Sequence, residues 1–326
     1  MKNLFIGCDW GTTSLRIALI QKNPDEKNGL SIVTPVHVPA GEGIAGVFST
    51  WQSSGQPDRS AYFLNYILQF IRKSEWPGSI DDQLPVVISG MASSSIGMQE
   101  LTYAEVPFSL DGSGVISTSL PSEAGPSVYL LSGVRTRNDV ARGEEIQVLG
   151  VAHQLGWHSV GGKVLVLPGT HSKHIRVDTT GITDLRTVMT GELFSLLATQ
   201  SVLRHSVRLP APDAPSVRKS FVEALQLGFN GEIMQNLFRV RVDHLSGRGT
   251  DGDRTAWLLG LLLGAELSAF RESHDEVLLC SGARHVAWYE AALEQLLPGR
   301  FTVLDSMVAD QAAFLGQAVW FQQHGY

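Results

Sequence analysis

The chain has 326 residues, enough for one large domain or two of medium size. Its apolar fraction of 43% is that of an ordinary globular core and excludes a disordered chain. A formal net charge of −7 argues against a broad electrostatic grip on nucleic acid or an anionic membrane, although a small anion held by local donors is compatible with it.

In chain order, Leu4–Ile6 and Ile17–Ile20 read as strands around a polar knot, CDWGTTSLR. Asp9 interrupts the first apolar run too early for a signal peptide, so a cytoplasmic protein is expected. KNPDEKNG (Lys22–Gly29) has turn composition, LSIVTPVHVP (Leu30–Pro39) reads as a third strand broken near Pro35, and AGEGIAG reads as loop. Ala61–Ile71 has helical spacing, and Leu84–Gly90 and Ser127–Val134 read as strands. GVRTRNDVARGEEIQVLG (Gly133–Gly150) follows, a crowd of charges read as loop and helix start.

A second set opens at Lys163. KVLVLPGTHSKHIRV reads strand, polar turn, strand, and ends at the turn DTTG. Helices are expected at Gly191–Leu203, Val217–Phe229, Glu232–Leu237 and Asp253–Phe270. Glu276–Gly282 is a strand, His285–Leu297 a helix, FTVLD a strand and Asp310–Gln323 a terminal helix. The stretch AWLLGLLLGAEL (Ala256–Leu267) is apolar but shorter than the roughly 20 residues that span a bilayer. Cys8 and Cys280 have no CxxC partner and read as buried thiols. Each half thus begins with strand, GTT or GTH turn, and strand, which favours two similar lobes with a cleft between them. The boundary is expected between Gly150 and Gly161.

Four polar knots carry the chemistry. In the first, Gly11, Thr12 and Thr13 can gather N–H groups and hydroxyls around a phosphate. Asp9 can orient water around magnesium, and Arg16 can hold an anion or a contact between lobes. The plain alternative is a Thr-rich hairpin, and no GxxxxGK[ST] loop occurs. In the second, Gly169, Thr170, His171, Ser172 and Lys173 form a similar turn. His171 and His174 lack the further ligands that zinc needs. In the third, Arg135, Arg137 and Arg142 are candidates to hold an anionic substrate, and a carboxylate among Asp139, Glu144 and Glu145 is a candidate to deprotonate a hydroxyl. The plain alternative is a salt-bridged loop. In the fourth, the small residues of LLCSGARH allow a flat base to approach the backbone.

The strings DWGTTSLR, SGMASSSIG (Ser89–Gly97), GVRTRNDVARGEEIQVLG, LPGTHSKHIRV and MTGELFSLLATQSVL (Met189–Leu203) resemble those of the 2-dehydro-3-deoxygalactonokinase family. LFRVR, LLGLLLGAEL and LLCSGARHVAWYEAAL extend the resemblance over nearly the whole chain. It implies an α/β protein of the actin-like (ribonuclease H-like) ATPase fold, with lobes at 1–155 and 156–326 and a terminal helix, 310–326, packing back on the first. It implies transfer of the ATP γ-phosphate, with Mg2+, to the 6-hydroxyl of the sugar acid 2-dehydro-3-deoxy-D-galactonate, in galactonate catabolism. Asp9, Gly11, Thr12 and Thr13 correspond to the first phosphate motif, and Asp9 to the metal site. Gly169, Thr170 and His171, with Ser172 and Lys173, correspond to the second, and Ser281, Gly282 and Ala283 to the adenosine corner. Ser89, Gly90 and Ser93 are candidates to line the sugar site. The superfamily's Gly-Asp-Gln-like stretch falls on ARGEEIQVLG, which makes Glu144 or Glu145 the base and leaves Asp139 in contention. No nucleic-acid or membrane partner is expected, and a homodimer is allowed for. A kinase for another sugar or sugar acid, and a non-enzymatic ATP-binding sensor, are the rival readings. The close set of Arg, Asp and Glu in the third knot favours an enzyme.

Overall fold

The computed structural model describes residues 4–22, 30–33, 43–76, 81–120, 125–157, 162–209, 211 and 218–325. Most of the expected Lys22–Gly29 turn, the third strand beyond residue 33, and residues 158–161 at the expected boundary lie outside the described residues.

The strands in chain order are β1 (Leu4–Trp10), β2 (Leu15–Lys22), β3 (Leu30–Ile32), β4 (Val86–Gly90), β5 (Ala104–Glu105), β6 (Ser117–Leu120), β7 (Val128–Leu131), β8 (Val134–Arg135), β9 (Val140–Ala141), β10 (Lys163–Leu167), β11 (Ser172–Asp178), β12 (Gly181–Val188), β13 (Glu276–Leu279) and β14 (Phe301–Val303). The α-helices are α1 (Ile44–Ser54), α2 (Arg59–Lys73), α3 (Glu144–Leu155), α4 (Thr190–Thr199), α5 (Arg218–Phe229), α6 (Ile233–Asn236), α7 (Arg239–Leu245), α8 (Asp251–Leu267), α9 (Ala283–Leu296) and α10 (Ser306–Gln323).

One sheet has the order β3-β2-β1-β4-β7-β6 and a second the order β12-β11-β10-β13-β14. In both, the first three strands lie in reverse chain order and the next main strand packs on the other side of the first. In the first sheet, β1 and β2 are antiparallel, while β1–β4 and β4–β7 are parallel. In the second, β10–β13 and β13–β14 are parallel. This duplicated order is that of the actin-like ATPase fold. A small third sheet, β5-β8-β9, carries the arginine-rich hairpin.

The chain divides into two compact units: Met1–Gly161 with Val177–Leu185 and Met307–Tyr326, and Gly162–Arg176 with Arg186–Ser306. In the first unit, Trp10 at the end of β1 is fully buried against the rings of Phe63 (5.8 Å) and Tyr66 (5.9 Å) on α2. Truncating a buried aromatic of this kind costs about 3–5 kcal/mol, so the residue beside Asp9 is firmly anchored. In the second unit, the apolar run of Ala256–Leu267 is the buried core helix α8. Its start is set by a reciprocal cap, with the Thr250 hydroxyl accepting from Asp253 N–H (3.1 Å) and the Asp253 carboxylate accepting from Thr250 N–H (2.8 Å).

Two helices, α1 and α7, have no counterpart among the expected elements. AGEGIAG reads as loop, yet α1 starts at Ile44. Its first N–H groups are satisfied from outside the helix: Ile44 donates to Gly11 carbonyl (3.0 Å) and Ala45 to Thr12 carbonyl (3.1 Å). A cap supplied by a turn some thirty residues upstream leaves no local signal. In the third knot the expected helix start is present: α3 runs from Glu144, entered through Gly143 at φ +106°.

Candidate active-site residues

In the first unit the polar turn joins β1 to β2 and is closed by Gly11 N–H donating to Ser14 carbonyl (2.8 Å). Thr12 and Thr13 are exposed at its tip. Asp9 and Arg16 are cross-strand partners, and the Arg16 Nε donates to Asp9 Oδ2 at 3.0 Å. Gly43, entering α1, lies so close that a Cβ there would sit 2.4 Å from Thr12 O. Side-chain volume at position 43 is therefore incompatible with this turn.

Three further segments meet the end of β1 within the same unit. Asp9 neighbours Ser89 in the parallel β1–β4 register, and Trp10 neighbours Gly90. Gly143 abuts Gly90, where a Cβ would lie 3.1 Å from the Gly90 Cα. The start of α3 is thereby held beside the end of β4. Ser89 is buried and accepts a hydrogen bond from Gln317 Nε2 (2.8 Å). Ser93 is also buried and accepts from Arg142 Nη1 (2.6 Å).

The three arginines have different surroundings. Arg142 is buried, donates to Ser93 and to the Leu101 carbonyl (3.2 Å), and lies 4.1 Å from the Tyr103 ring centroid. Its donors are spent within the unit. Arg135 is exposed and donates from Nε to Glu105 Oε1 (2.8 Å). Arg137 is exposed and makes no ion pair with the described residues.

The carboxylates differ as sharply. Asp139 sits in the β8–β9 turn, where its Oδ1 accepts from Val140 N–H (2.7 Å). Glu144 is half-buried at the first turn of α3, its Oε2 accepting from Arg142 N–H (3.0 Å). Glu145 is sealed from solvent; its Oε2 accepts from Gly143 N–H (2.8 Å), while Oε1 has no partner among the described residues. Burial, then the neighbouring Glu144 charge, holds the Glu145 carboxyl well above the usual carboxylate range.

In the second unit the polar turn joins β10 to β11, the equivalent place in its sheet. Gly169, Thr170 and His171 form its tip, with Thr170 and His171 exposed. The start of α4 closes on it: Glu192 N–H donates to Thr170 carbonyl (2.9 Å), and a Cβ on Gly191 would sit 2.4 Å from Gly169 O. His171 Nε2 pairs with Glu192 Oε2 at 2.5 Å. Ser172 points inward, its hydroxyl 2.7 Å from the Tyr289 hydroxyl, and Lys173 is buried with its ammonium donating to His171 carbonyl (3.3 Å). Both were grouped with the turn from sequence, but they lie beneath its tip.

The corner expected to take adenosine follows β13, the strand paired with β10. Leu279 of β13 pairs with Val166 of β10, and Cys280 N–H donates to Val166 carbonyl (2.9 Å). Ser281 is buried, its hydroxyl donating to Gly282 carbonyl (3.0 Å), and Gly282 precedes α9. Of Ala283 only the backbone is described; its side chain lies outside the described residues.

No group of three or more His, Cys, Asp or Glu among the described residues is arranged to hold a metal ion. Asp9 is a single carboxylate beside a polar turn, a donor set that suits a magnesium ion retaining its waters and held mainly by nucleotide phosphates. No helix among the described residues is long and apolar enough to cross a membrane. Sequence reading missed Gly43, Gly191, Glu192, Glu266 and Tyr289. Glu266 did leave a signal: one carboxylate inside AWLLGLLLGAEL must find partners or be excluded from the core.

The family model for 2-keto-3-deoxy-galactonokinase matches residues 9–316. The chain is 28% identical over 303 residues to a 2-dehydro-3-deoxygalactonokinase of Escherichia coli (strain K12), covering 90% of each chain. It is 33% identical over 247 residues to a Rhizobium meliloti (strain 1021) protein described as the same kinase, covering 73% of this chain and 79% of that one. A crystal structure of a Sinorhizobium meliloti protein, again described as a 2-dehydro-3-deoxygalactonokinase, superposes with a TM-score of 0.79 at 27% identity, covering 99% of this chain and 97% of the other.

Proposed function

The chain belongs to the 2-keto-3-deoxy-galactonokinase family, and on that premise we propose that it transfers the γ-phosphate of ATP to the 6-hydroxyl of 2-dehydro-3-deoxygalactonate in galactonate degradation. The observation that carries this reading is the match from residue 9 to residue 316, which takes in both polar turns and the charged stretch between them.

Phosphoryl transfer asks a protein for positioning and charge stabilisation more than for covalent chemistry. Gly11, Thr12 and Thr13 in the first unit, and Gly169, Thr170 and His171 in the second, are assigned to the nucleotide phosphates. Ser281 and Gly282 are assigned to the adenosine. Magnesium, when bound with the nucleotide, neutralises phosphate charge; Asp9 would orient its waters, with Arg16 fixing the carboxylate.

The base is Glu144. It stands at the first turn of α3, half-exposed and held by Arg142 N–H. Glu145 is sealed from solvent, where burial holds its carboxyl well above the usual carboxylate range, and Asp139 is tied into the β8–β9 turn. A general base must reach the proton it takes, and of the two glutamates only Glu144 is open to a ligand. The substrate carboxylate falls to Arg137, with Arg135 beside it; Arg142 instead acts as a strut between Ser93 and Leu101. Ser89 and Gly90 shape the floor beside Asp9.

A coupled ADP-release assay with 2-dehydro-3-deoxygalactonate, other sugars and keto acids, and no acceptor tests the reading. ADP release should depend on the deoxy-keto acid. Equal or faster turnover with another sugar acid would move the substrate, and ATP binding with no acceptor-dependent turnover would favour the sensor reading.

A further inference from the structure

We propose that Glu266 is a positioning residue for the nucleotide half of the reaction, fixing the second polar turn through one buried hydrogen-bond cluster. The proposal rests on the assignment of Gly169–His171 to ATP phosphates.

The cluster is built from four elements of one unit. Glu266 of α8 is 2% exposed. Its Oε1 accepts from His174 Nε2 of β11 (3.0 Å), and its Oε2 accepts from the Thr190 hydroxyl of α4. The Tyr289 hydroxyl of α9 lies 3.1 Å from Oε1 and 2.9 Å from Oε2, one proton shared between two oxygens. Burial, then the Glu266 charge, pushes the Tyr289 phenol well above its ordinary value, so it stays a donor. With that proton committed to Glu266, the Tyr289 oxygen accepts from the Ser172 hydroxyl at 2.7 Å. Nε2 is the His174 ring nitrogen that faces the carboxylate, and the hydrogen-bond geometry assigns its N–H to Oε1. Every donor in the cluster therefore points, directly or through Tyr289, at one carboxylate.

The partners of that carboxylate adjoin the turn. Ser172 follows His171 in the chain. Thr190 precedes Gly191 and Glu192, whose backbone closes on Gly169 and Thr170 and whose carboxylate pairs with His171. Tyr289 lies on α9, about two turns from the Gly282 corner. An apolar side chain at 266 would pack at less desolvation cost. What the carboxylate adds is a set of directed bonds that holds β11, α4 and α9 in one register beneath the phosphate turn.

Tyr289→Phe keeps the ring and removes the hydroxyl, and Thr190→Val removes the other hydroxyl donor. Phe221→Leu, in the same core but outside the cluster, controls for lost stability. Glu266→Gln is the fuller lesion, since its amide NH2 would face donors. Steady-state kinetics and titration with a non-hydrolysable ATP analogue read the outcome in the full-length enzyme. Tyr289→Phe and Thr190→Val should each raise KM for ATP and the Kd of the analogue about tenfold, with KM for the keto acid within twofold of wild type. Phe221→Leu should lower Tm and move neither constant. If Thr170→Ala weakens ATP but Tyr289→Phe and Thr190→Val only lower Tm, the cluster is merely structural and the proposal is overturned. If Thr170→Ala leaves ATP binding at its wild-type value, the assignment of the turn fails, and the proposal falls with it.

Discussion

The two polar turns share a construction and differ in what stands beneath them. Each joins the first two strands of its sheet, and each is roofed by the start of a helix whose N–H groups bind the turn's carbonyls, α1 on Gly11 and Thr12 and α4 on Thr170. Each roof has a glycine where a Cβ would fall 2.4 Å from turn backbone, Gly43 in one and Gly191 in the other. Beneath the first turn lies a partly exposed ion pair, Asp9–Arg16, with side-chain exposures of 13% and 21%. Beneath the second lies a sealed cluster on Glu266. A partly exposed carboxylate remains available to ligand-bound water, whereas a sealed one can only hold its neighbours. The shared roof thus fixes geometry in both units, and under the assignments proposed above the different floors would divide metal chemistry from nucleotide positioning.

The sharpest test of that division is at α3. If chemistry belongs to the first unit, Glu144→Gln should lower kcat by roughly 10²–10⁴-fold, the usual range for a positioned acid–base group, with ATP-analogue binding kept. A variant retaining more than half of kcat would remove Glu144 as the base.

The glycine pair tests the shared roof. Gly191→Ala and Gly43→Ala should each displace a turn, with backbone strain of about 1–3 kcal/mol and a loss in kcat/KM for ATP approaching a hundredfold. If only one of the two affects ATP, the turns are not equivalent phosphate sites. The arginine hairpin should give a smaller effect on the other substrate. Arg137→Ala should raise KM for the keto acid about tenfold, the low end for an exposed charge-assisted hydrogen bond, leaving KM for ATP unmoved. Arg135→Ala should do less, because Arg135 is shared with Glu105. A reversed ranking in steady-state kinetics would assign the carboxylate to Arg135 instead.

The tips of both turns were legible in sequence because DWGTT and PGTH interrupt apolar strands with glycine and hydroxyls, a local pattern. Most of the longer apolar strands and helices were legible for the same reason, whereas α1, α7, β5, β6 and β12 left no such pattern. The roofs were not. AGEGIAG has neither a side-chain cap nor an apolar repeat, and α1 begins there only because Gly11 and Thr12 accept its N–H groups. Arg142 looked like its neighbours Arg135 and Arg137 in a charged string, and only folding buries it against Tyr103. Ser172 and Lys173 looked like turn residues, but both faces of β11 are covered, so their side chains point inward. Adjacency in sequence indicates which residues share a segment; the side on which each is used depends on the partners that cover it.

Glu145 gives the smallest kinetic effect and the cleanest separation of the two neighbouring carboxylates. It is sealed, with one oxygen on Gly143 N–H and the other without a partner among the described residues. Burial and the Glu144 charge raise its folded-state pKa well above the 4.5 of an ordinary glutamate. The native state therefore holds a proton that the unfolded chain releases. Below about pH 4.5 both states are protonated and this group's contribution to stability is fully present. As pH rises from there through the folded pKa, that contribution is lost, at up to about 1.4 kcal/mol per pH unit. Glu145→Gln imitates the protonated side chain and carries no such loss. Its urea midpoint should match wild type near pH 4.5 and exceed it increasingly toward neutral pH, with kcat within twofold of wild type. Parallel stability curves would show that Glu145 is ionised in the fold, and a hundredfold fall in kcat would transfer the role of base from Glu144 to Glu145.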